Sequence, residues 1–152
     1  MFYETMLTKS WIDDMSTSSQ WTDEHLFDRF RAKAVAQGNA PLVIDRHGQL
    51  SWAEAARLVD DLSRGFLELG VRPADAVQIQ LPNRREFLLC VLALERIGAV
   101  VNPVAPIFRS NEVTVMSELA KPVAVVTVDA FRNFELAAMH VDLRESCPWV
   151  QN

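Results

Sequence analysis

Residues 77–103 read VQIQLPNRREFLLCVLALERIGAVVNP, and this stretch decides the fold. Val77–Leu81 has strand composition and is stopped by Pro82, which cannot donate to a ladder. Asn83 stands as a helix N-cap, with Glu86 three residues later at N3. Phe87–Leu94 is apolar almost all round, which marks a deeply buried helix. Gly98 stops that helix. Ala99–Asn102 then forms a second strand, closed by Pro103. A helix between two apolar strands implies a parallel pair with a right-handed crossover.

The same alternation continues downstream. Ser110–Ala120 reads as a helix with Pro122 at its exit, and Val123–Val128 as a third strand rich in β-branched residues. Ala130 to about Met139 reads as a further helix. Upstream, Ser51 and Glu54 have capping-box spacing. The helix they open carries Ala55, Leu58, Val59, Leu62, Phe66 and Leu69 at i, i+3/i+4 spacing and stops at Gly70. Before it, Leu42–Ile44 and Gln49–Leu50 flank the turn Asp45-Arg46-His47-Gly48. An earlier helix opens at Trp21, with Thr22 as N-cap, Asp23 and Glu24 in its first turn, Leu26 completing a hydrophobic staple with Trp21, and Gly38 at its end. Residues 1–20 show no period and include Ser16-Thr17-Ser18-Ser19, so they are expected to be a flexible lead-in to a folded unit over 21–152. The expected fold class is α/β, a doubly wound layered sheet with flanking helices.

Composition narrows the function. The chain has 152 residues, 15 Lys+Arg against 20 Asp+Glu, and a formal net charge of −5. With no basic cluster, nucleic acid is not expected as a partner. The longest apolar run has eight residues, far short of the ~20 that a membrane span needs. No signal-peptide pattern opens the chain, and Cys90 and Cys147 form no CxxC pair, so a reducing cytoplasm is expected. Cys90 reads as a buried small hydrophobe and Cys147 as a free thiol.

Few residues carry chemistry. No GxxxxGK[ST], GxGxxG, GxSxG or HExxH pattern is present. His25, His47 and His140 are scattered and read as surface residues. Asp13-Asp14 and Asp60-Asp61 are i, i+1 neighbours that do not face each other on a helix, so they read as solvated faces. Arg84-Arg85 stands where an anion could sit at a helix N-terminus, although pairing with nearby acids is the simpler expectation. Arg109, after the loop 103–108, is the one charged residue placed to approach a ligand crevice; a structural role is again the simpler expectation.

The stretch LSWAEAARLVDDLSRGFLELGVRPADAVQIQLPNRREFLLCVLALERIGAVVNPVAPIFRSNEV resembles the N-terminal region of AMP-forming acyl-CoA synthetases, in the adenylate-forming superfamily. The ordered pieces are Ser51-Trp52-x-Glu54, Leu69-Gly70-Val71, Asp75-x-Val77, Leu81-Pro82-Asn83, Glu86-Phe87, Gly98-Ala99-Val100, Asn102-Pro103 and Glu112. The likeness extends over roughly residues 20–150. One departure is Ala74-Asp75, where such proteins usually carry Gly-Asp. A turn needing positive φ would tolerate Ala poorly, with local strain as the expected result.

The resemblance implies an acid–thiol ligase. ATP and Mg2+ activate a carboxylic acid to an acyl-adenylate with release of pyrophosphate, and the coenzyme A thiol then attacks to give the thioester and AMP. Charge screening lets the two anions meet. The phosphate loop and the Glu, Asp and Lys that such chemistry needs lie downstream of the matched region in that family. No catalytic, cofactor-binding or metal residue is therefore assigned here. The expectation is a truncated N-terminal part of such an enzyme, inactive alone and marginally stable, with ATP, Mg2+ and CoA implied only for the full-length family. VNPVAPIFR looks most like members acting on fatty, alicyclic or aromatic acids. The alternative is a stand-alone interaction or regulatory module that pairs with a complementing chain, a full-length homologue or a second copy.

Overall fold

The computed structural model describes residues 7–18, 21, 22 and 24–150. The first element among the described residues is α1, Lys9–Thr17, a helix that the aperiodic sequence does not announce. Thr8 caps it: its Oγ1 accepts from the Trp11 amide at 3.3 Å. No α1 residue is buried, and Trp11 meets Trp21 edge to face with ring centroids 5.0 Å apart. Trp21 is therefore not a staple. The next helix, α2, spans Leu26–Ala36 with His25 as N-cap, and Asp28 accepts from the His25 amide at 3.3 Å. Thr22 has no acid at its N3 position, whereas His25 has Asp28, so the start moves downstream. The expectations for Ser19 and Asp23 fall outside the described residues.

Strands β1, Pro41–Asp45, and β2, Gly48–Ser51, form an antiparallel hairpin. Helix α3, Trp52–Glu68, begins with the expected capping box. Glu54 accepts from the Ser51 amide at 2.9 Å and the Ser51 hydroxyl at 2.7 Å, and these bonds hold its carboxyl below the usual range. Ala55, Val59 and Phe66 are buried, while Leu58 and Leu69 stay exposed.

The central layer follows. Strand β3, Ala76–Gln80, is buried at all five positions. Helix α4, Arg85–Arg96, buries Leu89, Cys90, Leu92, Ala93 and Leu94. Its N-cap is Arg84, not Asn83. The Glu86 carboxylate is held by the Arg84 guanidinium at 2.8 and 3.1 Å. Strand β4, Val100–Pro103, helix α5, Ser110–Ala120, and strand β5, Ala124–Thr127, complete the alternation. The sheet order is β4-β3-β5, with both pairs parallel.

The last element departs from expectation. Ala130–Met139 is not one helix. Strands β6, Ala130–Phe131, and β7, Phe134–Glu135, form a small hairpin, and α6 spans Leu136–Leu143. Arg132 and Asn133 take φ +49° and +58°, the left-handed pair that a tight hairpin turn requires. That turn breaks the helix a propensity reading carries through it.

Helices cover both faces of the sheet. Val77 and Ile79 pack into a large apolar cluster with residues of α3 and α4. Because side chains alternate along a strand, Gln78 and Gln80 point the other way, toward α5 and α6. A second, smaller cluster there unites Val104, Val113, Leu136 and Met139. Ala74, in the turn before β3, has φ +68°, so the departure noted in the sequence sits at a left-handed position. Gly98 has φ +73°, and a Cβ there would meet the Pro73 Cβ at 3.4 Å. Among the described residues no helix is long and apolar enough to cross a membrane.

Candidate functional site

Parallel sheets present ligand crevices beyond the carboxyl ends of their strands. In this chain a cavity of about 560 Å³ lies there, within the size range of small-molecule sites. Three loops distant in sequence build it. The β1–β2 turn supplies Asp45, Arg46 and His47; the exit of β3 supplies Pro82, Asn83 and Arg84; the exit of β5 and the β6 hairpin supply Val128, Phe131 and Arg132.

The first wall is clamped by Arg85. Its Nε donates to Asp45 Oδ2 at 2.7 Å, its Nη2 also pairs with Asp45, and the same nitrogen donates to the Gly48 carbonyl at 3.0 Å. Both side chains are mostly covered, at 17% and 22% exposure. The Arg85 guanidinium pulls the Asp45 carboxyl down to about 2. Arg84-Arg85 thus carry acid partners, as the simpler expectation had it. Glu86 is raised by burial, but its own amide and Arg84 outweigh that and leave it below the usual range.

Behind the crevice, the interior of the sheet is polar. Gln80 is fully buried. Its Nε2 donates to the carbonyls of Ala105 and Phe108 at 3.1 and 3.2 Å, fastening the loop that leads to α5. Since carbonyls only accept, Gln80 Oε1 is the acceptor in its 2.6 Å contact with His140 Nε2, and His140 carries its proton on Nε2. Burial lowers the His140 pKa. His140 is accordingly no surface residue: α6 sets it against the sheet. Thr127 Oγ1 donates to the Gln80 carbonyl at 3.2 Å. One pleat earlier, Gln78 Oε1 accepts from Ser117 Oγ at 3.0 Å and Asn102 Nδ2 at 3.3 Å, while its own Nε2 is buried without a partner among the described residues.

The remaining candidates have structural places. Arg109 donates through Nη1 to the carbonyls of Pro106 and Phe108, both at 3.0 Å, and its guanidinium lies 4.1 Å from the Phe134 ring centre. It locks the loop 103–108 and does not enter the crevice. Asp13 pairs with Lys9, Asp60 with Arg96 and Asp61 with Arg64, all at exposed positions. His25 caps α2 and His47 lines the crevice. Cys90 and Cys147 are free and buried; burial, with help from Glu86, pushes the Cys90 thiol up to about 11, so it is inert as a nucleophile. Among the described residues no three His, Cys, Asp or Glu side chains converge.

Periodicity alone does not mark Gln78, Gln80 and His140 as a polar interior, yet the sequence carries a signal. A strand with helices on both faces is buried on both, so any polar residue in it must be bonded internally.

Comparison with known proteins gives the chain its context. A family described as AMP-binding enzyme matches residues 30–150. A 2,3-dihydroxybenzoate-AMP ligase of Bacillus subtilis is 29% identical over 146 residues, covering 93% of this chain and 27% of that protein. A vibriobactin-specific 2,3-dihydroxybenzoate-AMP ligase of Vibrio cholerae is 30% identical, covering 86% and 24%. The apo structure of MbtA from Mycobacterium smegmatis superposes with a TM-score of 0.86 at 31% identity, covering 97% of this chain and 27% of that one. The chain thus spans about a quarter of the length of these relatives.

Proposed function

The chain belongs to the AMP-binding enzyme family, and from that premise we propose that it forms the N-terminal part of an adenylate-forming ligase that activates an aromatic carboxylic acid. The observation that carries this is the near-complete superposition of the chain on about a quarter of MbtA. The aromatic class is supported by the 2,3-dihydroxybenzoate-AMP ligases of two organisms at 29% and 30% identity. In this reading the fatty acids considered from sequence give way to aryl acids. ATP, Mg2+ and an acceptor thiol belong to the whole enzyme.

The chain's own contribution is scaffolding. Its sheet, clamped by Arg85–Asp45 and by the Gln80 bonds to the loop 103–108, forms one wall on which the remaining sequence builds the chemistry. Val115, Leu119 and Val141 on the neighbouring helices α5 and α6 stay 56%, 76% and 63% exposed; the rest of the family fold is the polypeptide that covers them.

The test is carboxylate-dependent ATP–pyrophosphate exchange. The isolated chain is expected to give no exchange. A chimera joining it to the remaining three-quarters of the Bacillus subtilis ligase is expected to exchange with 2,3-dihydroxybenzoate or salicylate, but not octanoate. Robust exchange by the isolated chain overturns the scaffolding role. A chimera that prefers octanoate overturns the aromatic class.

A further inference from the structure

We propose that the outward face of α3 docks the same face of a second copy of this chain, with the two helices antiparallel across a two-fold axis. Dimerisation through this face does not depend on the ligase reading.

Helix α3 carries more apolar surface than its own core uses. Ala55, Val59 and Phe66 are buried against the body of the protein, but Leu58 and Leu69 are 42% and 52% exposed. With Leu62 and Gly65 they form one stripe at i, i+4, i+7 and i+11. A cavity of about 340 Å³ lies along it, lined by Leu58, Asp61, Leu62, Gly65, Phe66 and Leu69, all of α3 or its C-cap. Gly65 has no partner within the chain that calls for it: a Cβ there would meet nothing within 4 Å, and glycine weakens a helix interior relative to alanine. On an open helix face, a missing side chain lets another helix approach closely.

The charges beside the stripe name the occupant. Arg57, Asp61, Arg64 and Glu68 follow the same spacing, each one residue earlier, and all four are exposed. Within the chain Asp61 pairs with Arg64. From the helix N-terminus this charged row reads positive, negative, positive, negative, so in reverse it presents the opposite sign at every level. An antiparallel second copy with its Leu69 opposite Leu58 and its Gly65 opposite Leu62 brings its Glu68 to Arg57 and its Arg64 to Asp61. Two-fold symmetry repeats each pair. A parallel copy would set like charges level. Two copies with net charge −5 each repel in general, but the charged row sums to zero. Residues 57–69 span about 18 Å, too short a helix pair to bury the ~1,200 Å² of firm interfaces, so the dimer is weak, with a Kd on the order of 10–100 µM.

Sedimentation equilibrium of the 152-residue chain is the test. A reversible monomer–dimer equilibrium is expected. Leu58→Gln and Leu69→Gln are each expected to raise Kd about tenfold or more, because both copies lose the contact, whereas Leu26→Gln on α2, equally exposed, leaves it unchanged. Asp61→Arg and Arg64→Asp each turn two attractive pairs into repulsive ones and should also raise Kd about tenfold. An equimolar mixture of these two charge variants should form a heterodimer close to the original affinity. Only contact between chains can restore it, since each variant keeps its like charges within its own helix. All of these positions are exposed, so the variants should fold, and circular dichroism checks it. A chain that stays monomeric to about 1 mM, far above the Kd expected of so small a contact, overturns the proposal. So do a dimer indifferent to the α3 variants and a mixture no better than its parts. The chimera with the Bacillus subtilis ligase should dimerise with the same variant pattern. If it is folded and monomeric while the 152-residue chain dimerises, the remaining polypeptide of the fold is the natural occupant of this face, and the second copy is overturned.

Discussion

The two faces of β3 are stabilised by different physics. Toward α3 and α4, Val77 and Ile79 are fully buried in an apolar cluster that also holds Val59, Phe66, Leu89 and Leu94. Toward α5 and α6, Gln78 and Gln80 are equally buried but are bonded to Ser117, Asn102, His140 and two loop carbonyls. Burial by itself favours the first face. On the second it helps only where each donor and acceptor finds a partner. The apolar face therefore tolerates changes of shape better than changes of size, whereas the polar face depends on individual bonds that fix where a loop and a helix sit.

The largest effect should come from the apolar side. Ile79→Ala removes buried volume from a closed cluster and is expected to lower stability by about 3–4 kcal/mol in urea unfolding. On the other face, Gln80→Leu keeps the volume but strands the Ala105 and Phe108 carbonyls and the His140 N–H, for an expected loss of about 2–3 kcal/mol. Gln78→Leu should cost less, about 1 kcal/mol, because that amide already has one unpartnered nitrogen. If both leucine variants proved neutral or stabilising, the polar face would be ordinary packing and the contrast would collapse.

The same contrast explains how far the sequence could be read. Apolar periodicity located α3, α4 and the three parallel strands, and α5 at its observed bounds, because burial against an apolar layer imprints a period on the chain. It could not locate the start of α2, which depends on Asp28 reaching back to His25, nor the β6–β7 turn, which depends on Arg132 and Asn133 taking positive φ. His140 looked like a surface residue because nothing within its own helix shows that Gln80, sixty positions away, waits for it. The crevice was illegible for the same reason: the turn at Arg46, the exit at Asn83 and the hairpin at Arg132 meet only after folding.

Protonation offers a smaller, tunable test of the polar face. Burial lowers the His140 pKa from the ordinary 6.5, so the folded state disfavours the charged ring while the unfolded chain accepts it freely. The unfolded state then binds more protons, and the stability this group contributes is complete above about pH 6.5 and is lost as pH falls below it. Urea midpoints should drop between about pH 7.5 and about pH 5.5. His140→Gln, which keeps a donor for Gln80, should flatten that drop. An unchanged slope would mean that the ring is as free to charge in the fold as in the unfolded chain.

A change in the turn that feeds both faces should help neither over the other. Ala74 holds φ +68°, with its amide donating to the Gly98 carbonyl at 2.7 Å and Asp75 accepting from the Arg72 amide at 2.8 Å. These bonds hold the turn left-handed although Cβ opposes it. The left-handed penalty for a non-glycine residue is about 1–2 kcal/mol, partly offset by the entropy that glycine restores to the unfolded chain. Ala74→Gly is therefore expected to raise stability by about 0.5–1 kcal/mol. Because the turn lies before β3 and touches neither pair of alternating side chains, this gain should add to the Ile79→Ala and Gln80→Leu losses without coupling to either. Coupling to Gln80→Leu alone, seen in a double-mutant cycle, would show that the strained turn sets the register of the polar face.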